Sequence, residues 1–497
     1  MVNSNLAFSY STSGFSQQEV QIQDEPLKWC SVSLSKVIAK GSRLDASTFD
    51  VEALNARDII ENGKYGYAPL GGASGLINTA FYPGRFKRIY CDKDHGEEFY
   101  LPSQMTDIYP KSDKYISALT KCDMNELRLK AHTLLLTRSG TIGTVSYVSK
   151  TIEGKVFSDD VIRVTFHKES VLGYVYAYLK SKVGNLILTT NGYGSVITHL
   201  EPEHLYSLPI PNAPDSIKDE INSLIVRSFE LRDESNELLD WANDLLVKEL
   251  ELPPIQEFQK KAAYYQKAAP VDTFSVKLSN LDGRFDGSYH VPVVDAIVEH
   301  LKKHAAEVTT VGDSKISRNV ILAGIFKRTY VEEGCGYPFL GGKEITQLSP
   351  KVEKYLSKPV HKNRYEKELK VEENMILVSD RGTIGKVALV PKHWNGYAVS
   401  QNVLKLVPAN NNIAGYLYVF LASDIGNVLI NRQTYGSVVD MIDNNSLINV
   451  EVPILKNQTV QAEINSLALQ ANEKRYQAYL LEQEALKKMN DEVIYAK

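Results

Sequence analysis

The chain has 497 residues, of which 43% are hydrophobic and 23% charged, so the composition excludes a disordered chain and leaves room for two or three domains. The four cysteines are widely separated, which excludes a metal knuckle or disulfide framework, and no apolar run approaches the roughly 20 residues of a membrane span, so we expect a cytoplasmic protein. The net charge is −4, but residues 215–260 alone carry −7, which leaves a slightly basic remainder that is compatible with nucleic-acid binding.

The first clear pattern along the chain is that of short antiparallel strands. The apolar run LLLT at 134–137 is followed by the glycine turn GTIG and then by TVSYVS at 144–149. A further segment, VIRVTFH at 161–167, alternates in hydrophobicity and is rich in β-branched residues. The sequence therefore predicts a hairpin or meander whose turn is supplied by glycines.

Helical patterns come next. Residues 172–188 place apolar side chains at helical spacing, which predicts one amphipathic helix of about 14 residues. A Tyr-Gly-Ser loop and a proline-rich stretch at 208–214 then end the globular part. Residues 215–251 contain no Gly or Pro and carry an apolar stripe, which predicts a helix of roughly 35 residues, about 50 Å long.

The same order of patterns recurs in the second half at an offset of about 240 residues, so the chain is a tandem duplication. The matched segments are Arg43–Asp45 with Arg284–Asp286, 84–99 with 324–339, Gly140–Gly143 with Gly382–Gly385, 172–188 with 414–430, Tyr193–Ser195 with Tyr435–Ser437, and Glu220–Leu224 with Glu463–Leu467. Each unit is too long for a solenoid repeat, so each is a domain followed by a connector.

We therefore expect an α+β protein with two tandem-duplicated globular α/β domains and two long helices. The predicted segments are a first domain at 1–213, a central helix at 214–265, a second domain at 266–455 and a C-terminal helix at 456–497. The two helices should pack antiparallel as a coiled coil with bundle-like rather than strict heptad packing, which gives a pseudo-two-fold relation and places the two globules at opposite ends of a rod.

This order of features resembles the specificity subunit of type I restriction–modification systems. The resemblance rests on the RLD and RFD openings, GRFKRIY and GIFKRTY, TRSGTIG and SDRGTIG, the two YGS loops and the two EINSL helices. It implies that the globules are target-recognition domains, each reading one half of a bipartite double-stranded DNA target. It also implies two adenine-methyltransferase subunits held by the helices, and restriction–translocase subunits that join them. S-adenosylmethionine, ATP and Mg are then expected in those partners and no cofactor in this chain.

Candidate DNA contacts follow from residue type and position. They are Lys87, Arg88, Arg138, Ser139, Thr141, Tyr193 and Ser195 in the first half, and Lys327, Arg328, Arg381, Thr383, Tyr435 and Ser437 in the second. Alternative interpretations are a solvated strand end for the Lys-Arg pairs, a tight turn for the glycines, which we favour there, and a helix cap with a packed tyrosine for the YGS loops. Candidate partner contacts on the long helices are Leu224, Phe229, Leu238, Leu467 and Leu480.

The sequence contains no motif that would indicate catalysis. A Walker A string, a complete GxGxxG fingerprint, a GxSxG elbow and an adenine-methyltransferase motif are absent, and His300 and His304 lack the glutamate of a zinc protease. We predict a non-catalytic protein without a metal. Two alternatives stay open: a coiled-coil scaffold whose globules bind other proteins, and an enzyme with a duplicated catalytic domain. Against the enzyme, we find no His, Asp or Glu pair that recurs in matched loops.

Overall fold

The computed structural model describes residues 31–39, 42, 46–193, 197–261, 274–281, 283–436 and 439–497. The chain divides into a unit of residues 1–51 and a unit of residues 52–497. The smaller unit contains the helix Leu34–Ala39 and the 3-10 turn Ala46–Phe49. The RLD opening at 43–45 lies outside the described residues. The larger unit contains both globules, the first at 52–213 and the second at 287–455, and both long helices.

Short strands make up the sheets of each globule, and most of them are matched between the halves. In the first globule they are Tyr67–Pro69, Ile77–Phe81, Tyr90–Cys91, Gly96–Tyr100, Tyr115–Ser117, Leu134–Thr137, Val145–Tyr147, Val156–Phe157, Val161–Phe166 and Pro209–Pro211. In the second they are Glu307–Thr310, Ser317–Ile321, Tyr330–Val331, Gly336–Leu340, Tyr355–Ser357, Ile376–Ser379, Val387–Leu389, Ala398–Val399, Val403–Pro408 and Glu451–Ile454.

The strands predicted from the sequence form the main sheet of each globule. In the first globule the spatial order is 77–81, 161–166, 134–137, 145–147, and all neighbours are antiparallel. The second globule repeats this order with 317–321, 403–408, 376–379 and 387–389. The turn glycines have positive φ, for example +77° at Gly140 and +76° at Gly382, a backbone region that glycine enters without a steric cost. The predicted hairpin and the turn interpretation of the glycines are confirmed, whereas the strand 161–166 pairs with 134–137 and not with 145–147, so the three strands do not form a meander.

Helices pack against these sheets and connect them. They are Val51–Glu61, Met124–Leu127, Leu172–Lys180, Lys182–Thr190, Pro202–Tyr206, Asp215–Glu249, Ile255–Lys261, Pro292–His304, Lys358–Arg364, Asn411–Ala422, Asp424–Arg432, Asn444–Ile448 and Gln458–Lys488. Short 3-10 turns lie at Lys93–His95, Pro102–Thr106, Glu169–Val171, Leu278–Asn280, Gly287–His290 and Lys392–Trp394, and π turns at Tyr365–Leu369 and Met489–Ile494.

The single helix predicted at 172–188 is wrong, because the structure has two helices there. Ser181 is extended (ψ 153°), and its hydroxyl caps the second helix by accepting the Gly184 N–H at 3.0 Å. Ser423 does the same for Gly426 in the second half, at 3.1 Å. Apolar spacing continues across the break, so the hydrophobic pattern alone does not reveal it.

The two long helices, Asp215–Glu249 and Gln458–Lys488, run antiparallel along their whole length. Lys488 pairs with Glu220 at 2.8 Å, near the start of the first helix. In the middle, the Ser228 hydroxyl donates to the Ala478 carbonyl at 2.7 Å. At the other end the Asn457 N–H reaches Glu249 at 3.3 Å. The predicted antiparallel pair is confirmed, whereas the division into four segments stays a prediction.

The C-terminal end of each long helix packs into the globule of the other half. Met489 and Val493 belong to the core of the first globule, together with strands and helices between residues 56 and 213. Leu246 and Leu250, which precede them by 243 positions, belong to the core of the second globule. The contacts of the two halves are therefore reciprocal, as a two-fold relation requires.

The prediction that the globules lie apart at the ends of a rod is wrong, since they contact each other directly. The Ile108 N–H donates to the Thr346 carbonyl at 3.0 Å, and the Thr346 hydroxyl donates to Asp107 at 2.5 Å. Asp107 also forms an isolated β-bridge with Gln347, its own repeat mate at an offset of 240. The contact therefore lies where the two-fold relation maps one half onto the other.

Among the described residues, no single helix is long and apolar enough to cross a membrane. The helices Asn411–Ala422 and Asp424–Arg432 meet the length and composition criteria only as a pair bent by 80°. Most of their apolar side chains are buried in the core of the second globule.

Candidate nucleic-acid interface

In the first half, the three sequence motifs converge on the dipeptide Asp159–Asp160, which precedes the strand Val161–Phe166. The Arg88 guanidinium, from the GRFKRIY segment, contacts Asp159 at 2.7 Å and Asp160 at 4.0 Å. Ser139, from the TRSGTIG turn, donates its hydroxyl proton to Asp160 at 3.0 Å. The YGS loop joins the group through His199, whose Nδ1 lies 2.9 Å from the Ser139 hydroxyl. Motifs that are distant in sequence therefore form one surface.

Arg88 is held firmly at this surface. Its guanidinium lies 5.4 Å from the centre of the Phe99 ring and also donates to the Ser158 hydroxyl at 2.9 Å. Burial opposes the charge, but Asp159 and its hydrogen bond raise the pKa of Arg88. Its side chain remains 28% exposed, so this fixed cation can still contact a ligand at its edge. The prediction that it binds DNA stays a prediction.

The prediction that Arg138 contacts DNA is contradicted by its burial. The residue is only 6% exposed, lies 4.0 Å from the centre of the Tyr82 ring and donates to Glu201 at 2.6 Å. Although burial opposes ionisation of Glu201, hydrogen bonds from Tyr193 and Arg138 lower the pKa of that carboxyl group. Arg138 is therefore an interior cation that is already neutralised, and it supports the surface from below.

Tyr193 lies half exposed above this ion pair. Its hydroxyl donates to Glu201 at 2.6 Å, and this hydrogen bond, together with burial, raises the pKa of Tyr193. Its backbone pairs with that of His199, at 3.0 and 2.7 Å. The residue is 43% exposed, its hydroxyl is fixed, and its ring centre lies 5.9 Å from that of His199 and 5.8 Å from that of His204. Ser195 and Ser437, the last residues of the two YGS motifs, lie outside the described residues.

The second half builds the equivalent surface on Gln401–Asn402. Arg328 donates to the Gln401 side-chain oxygen at 2.5 Å and lies 5.3 Å from the centre of the Phe339 ring. Arg381 donates to Asp380 at 2.9 and 3.0 Å and keeps 37% of its side chain exposed. Burial raises the pKa of Asp380, although Arg381 acts against it. In the second half the accessible arginine of the turn is therefore Arg381.

Tyr435 repeats the arrangement of Tyr193. Burial and its hydrogen bond to Asp443 raise the pKa of Tyr435, and its backbone pairs with Met441 at 2.9 and 2.8 Å. Asp443 follows Glu201 by 242 positions. The expectation that no carboxylate pair recurs in matched loops is thus wrong. Glu201 and Asp443 each hold a tyrosine hydroxyl, and Glu201 also binds Arg138. Both carboxylates therefore have a structural role.

The two surfaces differ in the charge of the dipeptide on which each is built. Asp159 and Asp160 are replaced by Gln401 and Asn402, so the second half has two neutral amides where the first half has two carboxylates. Arg88 forms an ion pair with Asp159, whereas Arg328 hydrogen-bonds the neutral amide of Gln401 and forms no ion pair with the residues that the structure describes. The two halves therefore share a frame but present different hydrogen-bonding groups to a ligand.

Four further predicted contacts are exposed in the structure. Lys87 and Lys327 lie at matched positions in their loops, and Thr141 and Thr383 lie at matched tips of the glycine turns. None of these four side chains takes part in a hydrogen bond or ion pair within the part of the chain that the structure describes. They are free to contact a ligand, and their predicted role is untested.

The predicted partner contacts on the long helices divide into buried and accessible residues. Phe229 and Leu467 are 5% exposed and belong to the cores, so their assignment to a partner surface is wrong. Leu224 and Leu238 are partly buried against the same cores. Leu480 is 46% exposed. The sequence reasoning missed Trp241, which is 51% exposed on the first long helix.

Catalytic chemistry finds little support in this geometry. Within the described ranges no group of three or more His, Cys, Asp and Glu side chains is arranged to hold a metal ion. Ser139 and His199 are in contact, but Asp160 binds the serine rather than the histidine, so a relay that would activate the serine is not formed. The second half has Arg381 and Met441 at the positions of the serine and the histidine.

The sequence reasoning missed the residues on which the surface is built. Asp159–Asp160, Gln401–Asn402, Glu201 and Asp443 were not among the predicted contacts. The alignment of SDDVIRV at 158–164 with SQNVLKL at 400–406, at the offset of 242, contains the signal for the first two pairs. A matched dipeptide that is polar in both halves and precedes a buried strand marks the edge of a sheet, where binding residues are often found.

Residues 325–480 match the family model described as "Type I restriction modification DNA specificity domain". Among curated proteins, no sequence matches the chain significantly. Among solved structures, the chain is similar to a type I restriction–modification S subunit from M. genitalium, with 15% identity, 85% of this chain and 98% of that chain covered, and a TM-score of 0.28.

An HsdS subunit from Thermoanaerobacter tengcongensis is similar at 12% identity, with 84% of this chain and 98% of that chain covered and a TM-score of 0.26. A third structure is described as concerning complex assembly and conformational transition of the type I R-M system. It is similar at 13% identity, with 83% of this chain and 98% of that chain covered and a TM-score of 0.25.

Proposed function

We propose, from the premise that residues 325–480 of this chain form a type I restriction–modification DNA specificity domain, that the chain is a specificity subunit that reads a bipartite DNA target. The observation that carries the proposal is the duplicated surface. A domain matched to DNA specificity has a counterpart in the first half, with the same strand order and the same convergence of motifs. Each globule then reads one half-site.

The chain itself recognises DNA and does not catalyse. Adenine methylation and cleavage are assigned to partner subunits, which carry S-adenosylmethionine, ATP and Mg. Two methyltransferase subunits would be held along the antiparallel helices, of which the first is acidic, and both of which carry an exposed apolar residue, Trp241 on the first and Leu480 on the second. Restriction–translocase subunits would join that complex. The fixed contact between the globules, through Asp107 and Thr346, would then set the gap between the half-sites.

The modified-base map of genomic DNA tests this proposal. We expect that deletion of the gene abolishes N6-methyladenine at one motif, composed of two short half-sites around a fixed gap. Reintroduction of the intact gene should restore the methylation at the same motif. An unchanged map, in cells shown to express the chain and a neighbouring methyltransferase, would contradict the proposal and favour the scaffold alternative, since a scaffold for other proteins has no reason to direct base methylation.

A further inference from the structure

The loops at 84–88 and 324–328 are nearly identical in sequence and in their anchoring. Phe86 and Phe326 pack against the clusters around Phe99 and Phe339. The arginine that ends each segment lies over that same phenylalanine ring, at 5.4 Å for Arg88 and 5.3 Å for Arg328. The two loops are therefore held by matched contacts, and the second receives an additional hydrogen bond from Arg364 to the Gly324 carbonyl at 3.1 Å.

Within these five-residue segments, GRFKR and GIFKR, one position differs. It is Arg85 in the first half and Ile325 in the second. The next difference, Ile89 against Thr329, lies beyond the segment, where the backbone carbonyls accept hydrogen bonds from Ser117 and Ser357 at 2.8 and 2.9 Å. The backbone and its anchoring contacts are thus the same around positions 85 and 325, whereas the side chain is a charged arginine in the first half and an apolar isoleucine in the second.

Both side chains point into solvent. Ile325 is 86% exposed, more than any other large hydrophobic side chain among the described residues. Arg85 is exposed too, and it makes no hydrogen bond or ion pair with the residues that the structure describes. Neither side chain contributes to the packing of its globule. An isoleucine in this position gains a contact only when a ligand covers it.

The chemistry of base edges distinguishes these two side chains. A guanidinium donates two parallel hydrogen bonds to O6 and N7 of guanine in the major groove. Isoleucine donates none, and the base edge that offers it an apolar partner is the C5-methyl group of thymine. We infer that position 85/325 distinguishes the two half-sites, with Arg85 reading a guanine and Ile325 contacting a thymine methyl group. This inference rests on the proposed function.

Methylation maps of cells that carry substituted chains, with their natural partner subunits, test the inference. We expect Arg85→Ala to relax one guanine position in one half-site, with a preference that falls on the order of 10- to 100-fold, and to leave the other half-site unchanged. Ile325→Arg should introduce a guanine preference at one position of the other half-site. Because neither side chain is packed, both variants should fold.

Lys87→Ala is the matched control, since Lys87 is exposed in the same loop and a lysine that contacts phosphate contributes without reading sequence. It should lower methylation across all sites without a change of motif. If Arg85→Ala behaves in that way, Arg85 contacts phosphate and the inference is overturned. The methylation map of the wild type distinguishes failure of this inference from failure of the proposed function. If the wild-type map contains no bipartite motif, the proposed function itself is wrong.

Discussion

The carboxylate of Glu482 is fully buried on the second long helix, and donors from three other parts of the chain surround it. The Tyr176 hydroxyl and the Lys180 ammonium reach one carboxylate oxygen at 2.5 and 2.6 Å. The Ser349 hydroxyl and the Arg232 guanidinium reach the other at 2.5 and 3.2 Å. This carboxylate therefore joins the first globule, both long helices and the second globule. Burial opposes its charge, but Lys180, Arg232 and the hydrogen bonds lower the pKa of Glu482 far below its usual value.

We expect Glu482→Gln to lower the free energy of unfolding by about 3 kcal/mol at neutral pH, because Lys180 and Arg232, whose side chains are only 27% and 13% exposed, lose their anion. A lowered pKa means that the carboxylate stabilises the fold above its ordinary pKa of 4.5 and loses this effect as the pH falls further. Urea unfolding at pH 7 and pH 3.5 should therefore show a difference between wild type and variant that narrows in acid.

Ser349→Ala is the control, since it removes one neutral donor and should cost about 1 kcal/mol. Equal stability of wild type and Glu482→Gln at pH 7, or a difference that grows on acidification, would contradict the assignment of Glu482 as the charged centre of this contact.

The sequence predicted a polar surface at these motifs but misplaced one of its arginines. Arg138 and Arg381 both precede a glycine turn, and they looked equivalent. The repeat register pairs Arg138 with Asp380 and Ser139 with Arg381. Successive side chains at a strand end point to opposite faces, so the first position of each pair lies inside and the second outside. Residue type alone did not give that distinction, whereas the register together with the alternation would have given it.

At the scale of elements, a glycine on the helix of each globule lets it approach a long helix closely. The Gly173 N–H donates to the Asn222 side chain at 2.7 Å, and the Gly415 N–H to the Asn465 side chain at 2.8 Å. A Cβ atom at Gly415 would lie 2.4 Å from the Asn465 carbonyl oxygen, and one at Gly173 2.8 Å from the Asn222 Cα. The two halves therefore dock their globules on their own long helices in the same way.

We expect Gly415→Ala to lower the free energy of unfolding by about 1 to 3 kcal/mol, because the added methyl group overlaps backbone atoms that can move only with the helix. Gly173→Ala should act in the same direction. Asn412→Ala, an exposed position of the helix Asn411–Ala422, is the control and should change stability by no more than about 0.5 kcal/mol. Urea unfolding measures all three, and a Gly415→Ala protein as stable as the control would contradict the close contact.

Periodicity predicted most elements, because strand alternation and a long apolar stripe are local properties of the sequence. It did not predict the break at Ser181, where the stripe continues through two helices that change direction. The cap hydrogen bond from Gly184 to Ser181 marks that break. Serine followed three residues later by glycine appears at the same place in the second half, at Ser423 and Gly426. That recurrence was the available signal.

At the scale of the whole molecule, the duplication and the antiparallel helices were predictable from the sequence, whereas the direct contact of the globules was not. The length of the helices suggested separation, and the contact depends on side chains of both halves, Asp107 and Thr346, which no local pattern connects. The packing of each long helix's C-terminal end into the globule of the other half, which we call the crossed cores, was not predicted for a similar reason. An apolar stripe indicates that the end of a helix is buried, but it does not indicate which globule covers that end.

The crossed cores predict which globule is destabilised when a buried side chain at the end of a long helix is shortened. Met489 and Leu246 are repeat mates with no exposed surface, and each lies in the core of the globule that does not precede its own helix. We expect each change to alanine to cost about 2 to 5 kcal/mol. In native-state hydrogen exchange, Met489→Ala should accelerate exchange in the first globule, at residues 134–137 and 172–190.

Leu246→Ala should accelerate exchange in the second globule, at residues 376–379 and 411–432, so the two variants are controls for each other. If each substitution instead loosened the globule that precedes its helix in sequence, the two halves would be independent domains joined end to end. The reciprocal result would mean that neither globule has a complete core without the other half, because each core contains the end of the partner's helix. The spacing of the two recognition surfaces would then be a property of the core itself.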